Sequence, residues 1–205
     1  MKRFVSFLVL FTSVFFLCVP ASQAGEDKPA YSGSITTSSK YVWRGAEQSE
    51  DSVVFFLDNN LSYKGFTAGV WAYLDTDHSG TEGSDDRGNM ELYETDLTLS
   101  YSNSIDMLDY SVGWIYYDYG DKATGENQEL FASVGLDTIL SPTVNVYSEI
   151  ETGEAYYASL DLSHSNELTE LLTLDYGAKM GYKYDEDGSP SGDGSYSELH
   201  DGLLW

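Results

Sequence analysis

Four oxygen-bearing side chains, Asp75, Asp77, Ser79 and Asp86, stand at positions 1, 3, 5 and 12 of an acidic run with Gly80 at position 6. That is the spacing of a calcium loop, in which carboxylates converge on a hard cation and glycine allows the sharp turn. Asp86 stands where a bidentate Glu is usual, and Glu82 where an apolar residue is expected. Strands, not helices, flank the run. These departures favour an acidic solvated loop over a calcium site. A second acidic run, 185–190, puts Pro190 at the glycine position and fails the same test.

A second constellation is spread along the chain. Lys40, Arg44, Lys179 and Lys183 are set against Asp58, Glu94, Asp96, Asp137, Glu149, Asp161 and Asp175, most alternating with apolar neighbours. Lining a water-filled lumen, such carboxylates would raise the local cation concentration and favour cation passage. Pairing across a narrow lumen, the same groups would plug it. The three histidines, His78, His164 and His200, form no motif with a nucleophile. A Ser/His pair is defined by geometry, and these three fall in different parts of the chain. No enzymatic activity and no cofactor are expected.

These charges need a scaffold with two unlike faces, and the chain supplies one. In 66–74, Phe66, Ala68, Val70, Ala72 and Leu74 share one side of a period-two pattern, the mark of a strand between two environments. The same pattern places strands at 34–44, 53–63, 66–75, 90–101, 108–118, 128–137, 143–150, 155–163 and 171–184, with a tenth from about 196. Tyr93, Thr95, Leu97, Leu99 and Tyr101 alternate with Glu94, Asp96, Thr98 and Ser100. Likewise Leu172, Leu174, Tyr176, Ala178 and Met180 alternate with Thr173, Asp175, Gly177, Lys179 and Gly181. Charges cannot face lipid cheaply, so the polar set is expected to look inwards. Ten residues at roughly 3.3 Å each, tilted by about 40°, rise about 25 Å, the height of a barrel's apolar band. Connections after even strands are mostly short and those after odd strands long, apart from 151–154, as in a barrel with periplasmic turns and external loops. Trp43, Tyr63, Tyr101, Tyr117 and Tyr119 at strand ends fit interfacial girdles.

Residues 1–24 have the form of a secretory signal. Lys2 and Arg3 precede an apolar core, and Ser22-Gln23-Ala24 offers small residues for cleavage, leaving 25–205 as one barrel domain. The lone Cys18 lies inside this leader, so the mature chain has no disulfide and no thiol chemistry. It keeps eight of the ten basic residues and all 34 acids, for a formal charge of −26. Such a surface excludes nucleic acid as a partner. The expected location is the outer membrane of a Gram-negative bacterium. The expected partners are outer-membrane lipid, lipopolysaccharide, the barrel-assembly machinery, and small polar solutes or ions.

Three stretches resemble the TorF-like family of proteobacterial porins. They are Ser39-Lys40-Tyr41-Val42-Trp43-Arg44-Gly45, then Gly65-Phe66-Thr67-Ala68-Gly69-Val70-Trp71, and the fifth strand from Leu108 to Tyr119. The resemblance implies an outer-membrane barrel with passive transport and carries over no binding residue. Arg44 either orders the first loop by pairing with acids or lines the mouth; an Arg fork suits fixed carboxylate pairing, which favours ordering. Members of that family usually continue for about two further strands and finish in an aromatic. Here Leu199, Leu203 and Trp205 alternate weakly around Asp201. Either ten strands close with a poor last one, or a twelve-stranded barrel is truncated; Asp201 and the short last segment favour truncation.

The fold expected from sequence is thus all-β, an antiparallel up-and-down transmembrane β-barrel with about ten strands present. The function expected is a porin for small polar solutes or ions, favouring cations. The alternatives are a plugged structural or surface-binding barrel with acidic loops, and a soluble periplasmic ligand-binding barrel. The last needs its Leu/Val face inside.

Overall fold

The computed structural model describes residues 17–19, 28–49, 52–76, 91–120, 126–151, 155–169, 172–185 and 198–200. Every regular element among them is a strand. In chain order they are β1 (Leu17–Val19), β2 (Ala30–Ser38), β3 (Val42–Trp43), β4 (Ala46–Glu47), β5 (Val54–Tyr63), β6 (Phe66–Asp75) and β7 (Glu91–Ile105). Then follow β8 (Leu108–Tyr119), β9 (Glu126–Leu136), β10 (Thr143–Glu149), β11 (Ala155–Thr169), β12 (Leu172–Asp185) and β13 (Glu198–His200). All but β3 and β4 form one antiparallel sheet in the order β1-β2-β5-β6-β7-β8-β9-β10-β11-β12-β13. Neighbours in sequence are neighbours in space, the meander that tight turns on alternating strands produce. The sheet curls into a half-barrel. Among the described residues its two end strands, β1 and β13, do not pair. β1 falls inside the segment with the form of a leader and pairs with the free side of β2, Leu17 opposite Ile35.

Local chemistry sets the turns. Lys64 and Gly65 both have positive φ, 50° and 85°, between β5 and β6. Two such residues make the reversed turn whose twist matches that of the strands it joins. A Cβ at Gly65 would lie 2.7 Å from the backbone oxygen of Ser102, so both conformation and space require glycine there. The strands run further than the sequence pattern suggested at the short-turn end: β7 continues to Ile105 and β11 to Thr169. Both extensions contain loop-favouring serine and asparagine, Ser102-Asn103-Ser104 in β7 and Ser165-Asn166 in β11, and cross-strand pairing overrides that preference.

The faces separate cleanly. Leu61, Phe66, Val70, Leu97, Leu99, Val112, Leu130, Val134, Val144, Val146, Leu160, Leu174 and Met180 are all exposed on the convex side. The concave side carries Asp58, Trp71, Tyr73, Glu94, Asp96, Tyr117, Glu129, Asn145, Tyr157, Asp161 and Lys179, joined in register from strand to strand. The core, such as it is, therefore lies on the charged side of the sheet, and the apolar side chains face outwards.

One irregularity changes a face. Between β6 and β7 the register shifts, with Tyr73 opposite Glu94 but Leu74 opposite Leu92. Tyr93 is the extra residue of this bulge. Strict alternation puts Tyr93 outwards with Thr95 and Leu97; instead its ring meets Tyr73 edge-on at 5.8 Å.

Candidate functional site

The first long connection, 39–53, holds the site. Sequence alternation extends the first strand through Arg44, but β2 stops at Ser38. The chain then turns back on itself as the small hairpin β3–β4, with Val42 opposite Glu47 and Trp43 opposite Ala46. Its tip is Arg44-Gly45, both at positive φ, 47° and 82°. Gln48 N–H donates to the Tyr41 carbonyl at 2.8 Å and Tyr41 N–H to Ser49 Oγ at 2.7 Å, tying the hairpin's base. At the exposed flank Lys40 Nζ meets Glu47 Oε1 at 2.9 Å.

This hairpin lies against the concave wall. On one side Tyr41 packs on Phe56 of β5 (5.3 Å between ring centres), Trp71 (5.7 Å) and Tyr73 (4.8 Å) of β6. On the other side Arg44 spans β9, β10 and β11. Its two terminal nitrogens each donate to one carboxylate oxygen of Glu129 at 2.7 Å, a bidentate fork. The guanidinium carbon sits 4.3 Å from the Trp43 ring centre, 4.6 Å from Tyr147 and 4.5 Å from Tyr157. Tyr117 Oη donates to Glu129 Oε2 at 2.8 Å. Both members of the ion pair are buried, with side chains 10% and 6% exposed.

The curl of the sheet brings its two walls towards one another, so that Tyr41 meets β5 and β6 while Arg44, three residues on, meets β9, β10 and β11.

Burial raises the Tyr41 hydroxyl well above its ordinary range, and the nearby Glu94 and Asp96 carboxylates add to the effect. For Arg44 burial pulls downwards, but the hydrogen bonds and charge of Glu129 outweigh it, so the guanidinium stays charged. A buried charge is tolerable only when its hydrogen-bonding capacity is met.

The remaining sequence-derived site residues fall as follows. Asp58, Glu94, Asp96, Glu149, Asp161, Asp175, Lys179 and Lys183 occupy concave positions on β5, β7, β10, β11 and β12. Asp58 accepts from Asn60. Asp161 accepts from Asn145 at 2.7 Å and lies 3.4 Å from Lys179 Nζ. Asp175 accepts from Ser165 at 2.5 Å. One oxygen of Asp96 is buried without a hydrogen-bond partner among the described residues. Asp137 is not on a strand: it is exposed in the turn after β9, its N–H bonded to the Met107 carbonyl. Arg44 and Lys40 belong to the hairpin, not to the wall.

Of the calcium-loop candidates, Asp77, Ser79 and Asp86 lie outside the described residues. Asp75 is fully buried and accepts a 2.5 Å bond from Tyr73 Oη. No group of three potential metal ligands occurs among the described residues. Of the girdle candidates, Tyr63 is exposed on the convex face, while Trp43 and Tyr117 turn inwards to each other at 6.1 Å and Tyr119 stacks on Tyr117.

Glu129 is the residue the sequence reasoning missed. Its signal was present: Leu130, Ala132, Val134 and Leu136 alternate outwards, which sends Glu129 in. Nothing local marked it as the partner of a residue 85 positions away. No family model, curated protein or solved structure matches the chain, so the TorF-like resemblance rests on its three stretches alone.

Proposed function

We propose that this chain forms an outer-membrane β-barrel pore for passive diffusion of small polar solutes or ions, narrowed by the inward hairpin and favouring cations. The carrying observation is the division of the sheet: exposed Leu, Val and Met on the convex side, charges on the concave side. Apolar side chains on the outside of a curled sheet match acyl chains, and a polar inner face matches a water-filled lumen. The soluble-barrel alternative needs the opposite arrangement. Towards the short turns the inner wall is lined by small hydroxyls, including Ser62 and Thr67 (2.8 Å apart), Ser100, Ser111, Ser133 and Ser163. Small polar side chains leave room and hydrogen bonds for water. Of the wall charges, carboxylates predominate, which raises the concentration of cations over anions.

The hairpin across the outer part of the concave face favours one second reading, the plugged barrel. Planar-bilayer recording separates the two. Stepwise, cation-selective conductance from folded wild-type protein supports the pore. Silence from the wild type, with steps appearing only after the hairpin is released by Glu129→Gln, identifies the plug and overturns the open pore.

A further inference from the structure

The wall against which Arg44 rests is built as a receptor for a planar cation. Glu129 offers each carboxylate oxygen to one guanidinium nitrogen, and Tyr117 donates a hydrogen bond to the same carboxylate. Tyr147 and Tyr157 present ring faces at 4.6 and 4.5 Å. Glu149 stands directly opposite Glu129 on the neighbouring strand. Two like charges in a cross-strand pair repel, and a cation between them and the lumen relieves this. Among the described residues, Lys183 on β12 is a wall cation in register with Tyr157.

The occupant arrives on a strained tether. Arg44 has φ 47°, a left-handed conformation that costs a non-glycine residue free energy and persists only when its surroundings hold it there. The side chain reaches the wall from a two-stranded hairpin of only two residues per strand, too small to be stable on its own.

We infer that Glu129, Tyr117, Tyr147 and Tyr157 form a binding site for guanidinium-type organic cations, occupied in the resting protein by the chain's own Arg44. A free guanidinium compound and Arg44 compete for one site, so the hairpin acts as a tethered blocker that such a ligand displaces. The transport consequence rests on the pore reading; the binding itself needs no conduction and is measured in detergent.

Arg44→Gly empties the site while suiting the turn, because glycine adopts the positive φ without strain. Its thermal unfolding is followed in detergent with about 10 mM guanidinium chloride, a concentration far below denaturing levels, against the same concentration of sodium chloride. The expected result is a rise in melting temperature of about 2 °C or more with guanidinium over sodium, absent in the double variant Arg44→Gly/Glu129→Gln. An equal response to the two salts, or a guanidinium response that survives loss of Glu129, overturns the inference. If Arg44→Gly does not fold, refolding yield with each salt gives the same decision: rescue by guanidinium alone supports the site, and no rescue overturns it. Loss of conductance would leave these outcomes unchanged, so failure of the site and failure of the pore are told apart.

Discussion

Replacing Glu129 by Gln removes one charge and almost no volume, and its consequence can be worked from the geometry. Arg44 loses the counter-ion that receives both of its 2.7 Å bonds, in a place where it is only 10% exposed. Breaking one side of a buried ion pair costs about 3–5 kcal/mol. Gln keeps one acceptor oxygen, which puts the expected loss near the lower end, about 3 kcal/mol. The rings of Trp43, Tyr147 and Tyr157 still attract the cation, by roughly 0.5–2 kcal/mol each, but they did so before the change and do not offset it. The hairpin has an escape that a strand lacks, since it can leave the wall and hydrate Arg44 without unpairing the sheet. About 3 kcal/mol shifts the docked-to-free ratio by roughly 100-fold. Trypsin reads this directly, because the Arg44–Gly45 bond is shielded when docked and a substrate when free. Cleavage tracks the population of the open form when opening is fast. The rate at Arg44 is therefore expected to rise by roughly two orders of magnitude in Glu129→Gln, while cleavage at exposed Lys64, in the turn between β5 and β6, stays the same. Equal rates at Arg44 in both proteins would refute the claim that Glu129 holds the hairpin.

Three further outcomes follow from the same structure. Leu99→Arg, on the convex face, is expected to destabilise the protein in lipid by about 2–4 kcal/mol, whereas Thr98→Arg, one residue along and concave, costs much less; denaturant titration in vesicles compares them. Tyr41→Ala removes a ring packed on Phe56, Trp71 and Tyr73, a loss of about 3–5 kcal/mol of hairpin docking, which tryptic cleavage at Arg44 again registers. Gly113→Ala places a Cβ within 2.4 Å of the Phe131 ring and 2.7 Å of the Leu99 carbonyl oxygen, and a drop of about 1–3 kcal/mol in denaturant stability is expected.

Sequence alone determined the repeating unit and its two sides. Period-two alternation in 66–75 and 171–184 assigned Leu, Val and Met to one face and the charges to the other, because strand geometry sends neighbouring side chains opposite ways. The short connection between 53–63 and 66–75 was legible too, because the alternation breaks only at residues 64 and 65. Alternation failed at Tyr93, where the register shift between β6 and β7 turns a ring inwards. It failed again at Tyr41, Trp43 and Arg44, which fit a strand pattern yet fold into a hairpin. In both places the deciding contacts come from distant strands: Tyr73 for Tyr93, and Glu129, Tyr147 and Tyr157 for Arg44. Only the curling of the sheet brings an arginine near the first strand within 2.7 Å of a glutamate 85 residues later. The burial of that pair, and with it the direction in which the first loop folds, belongs to the tertiary structure.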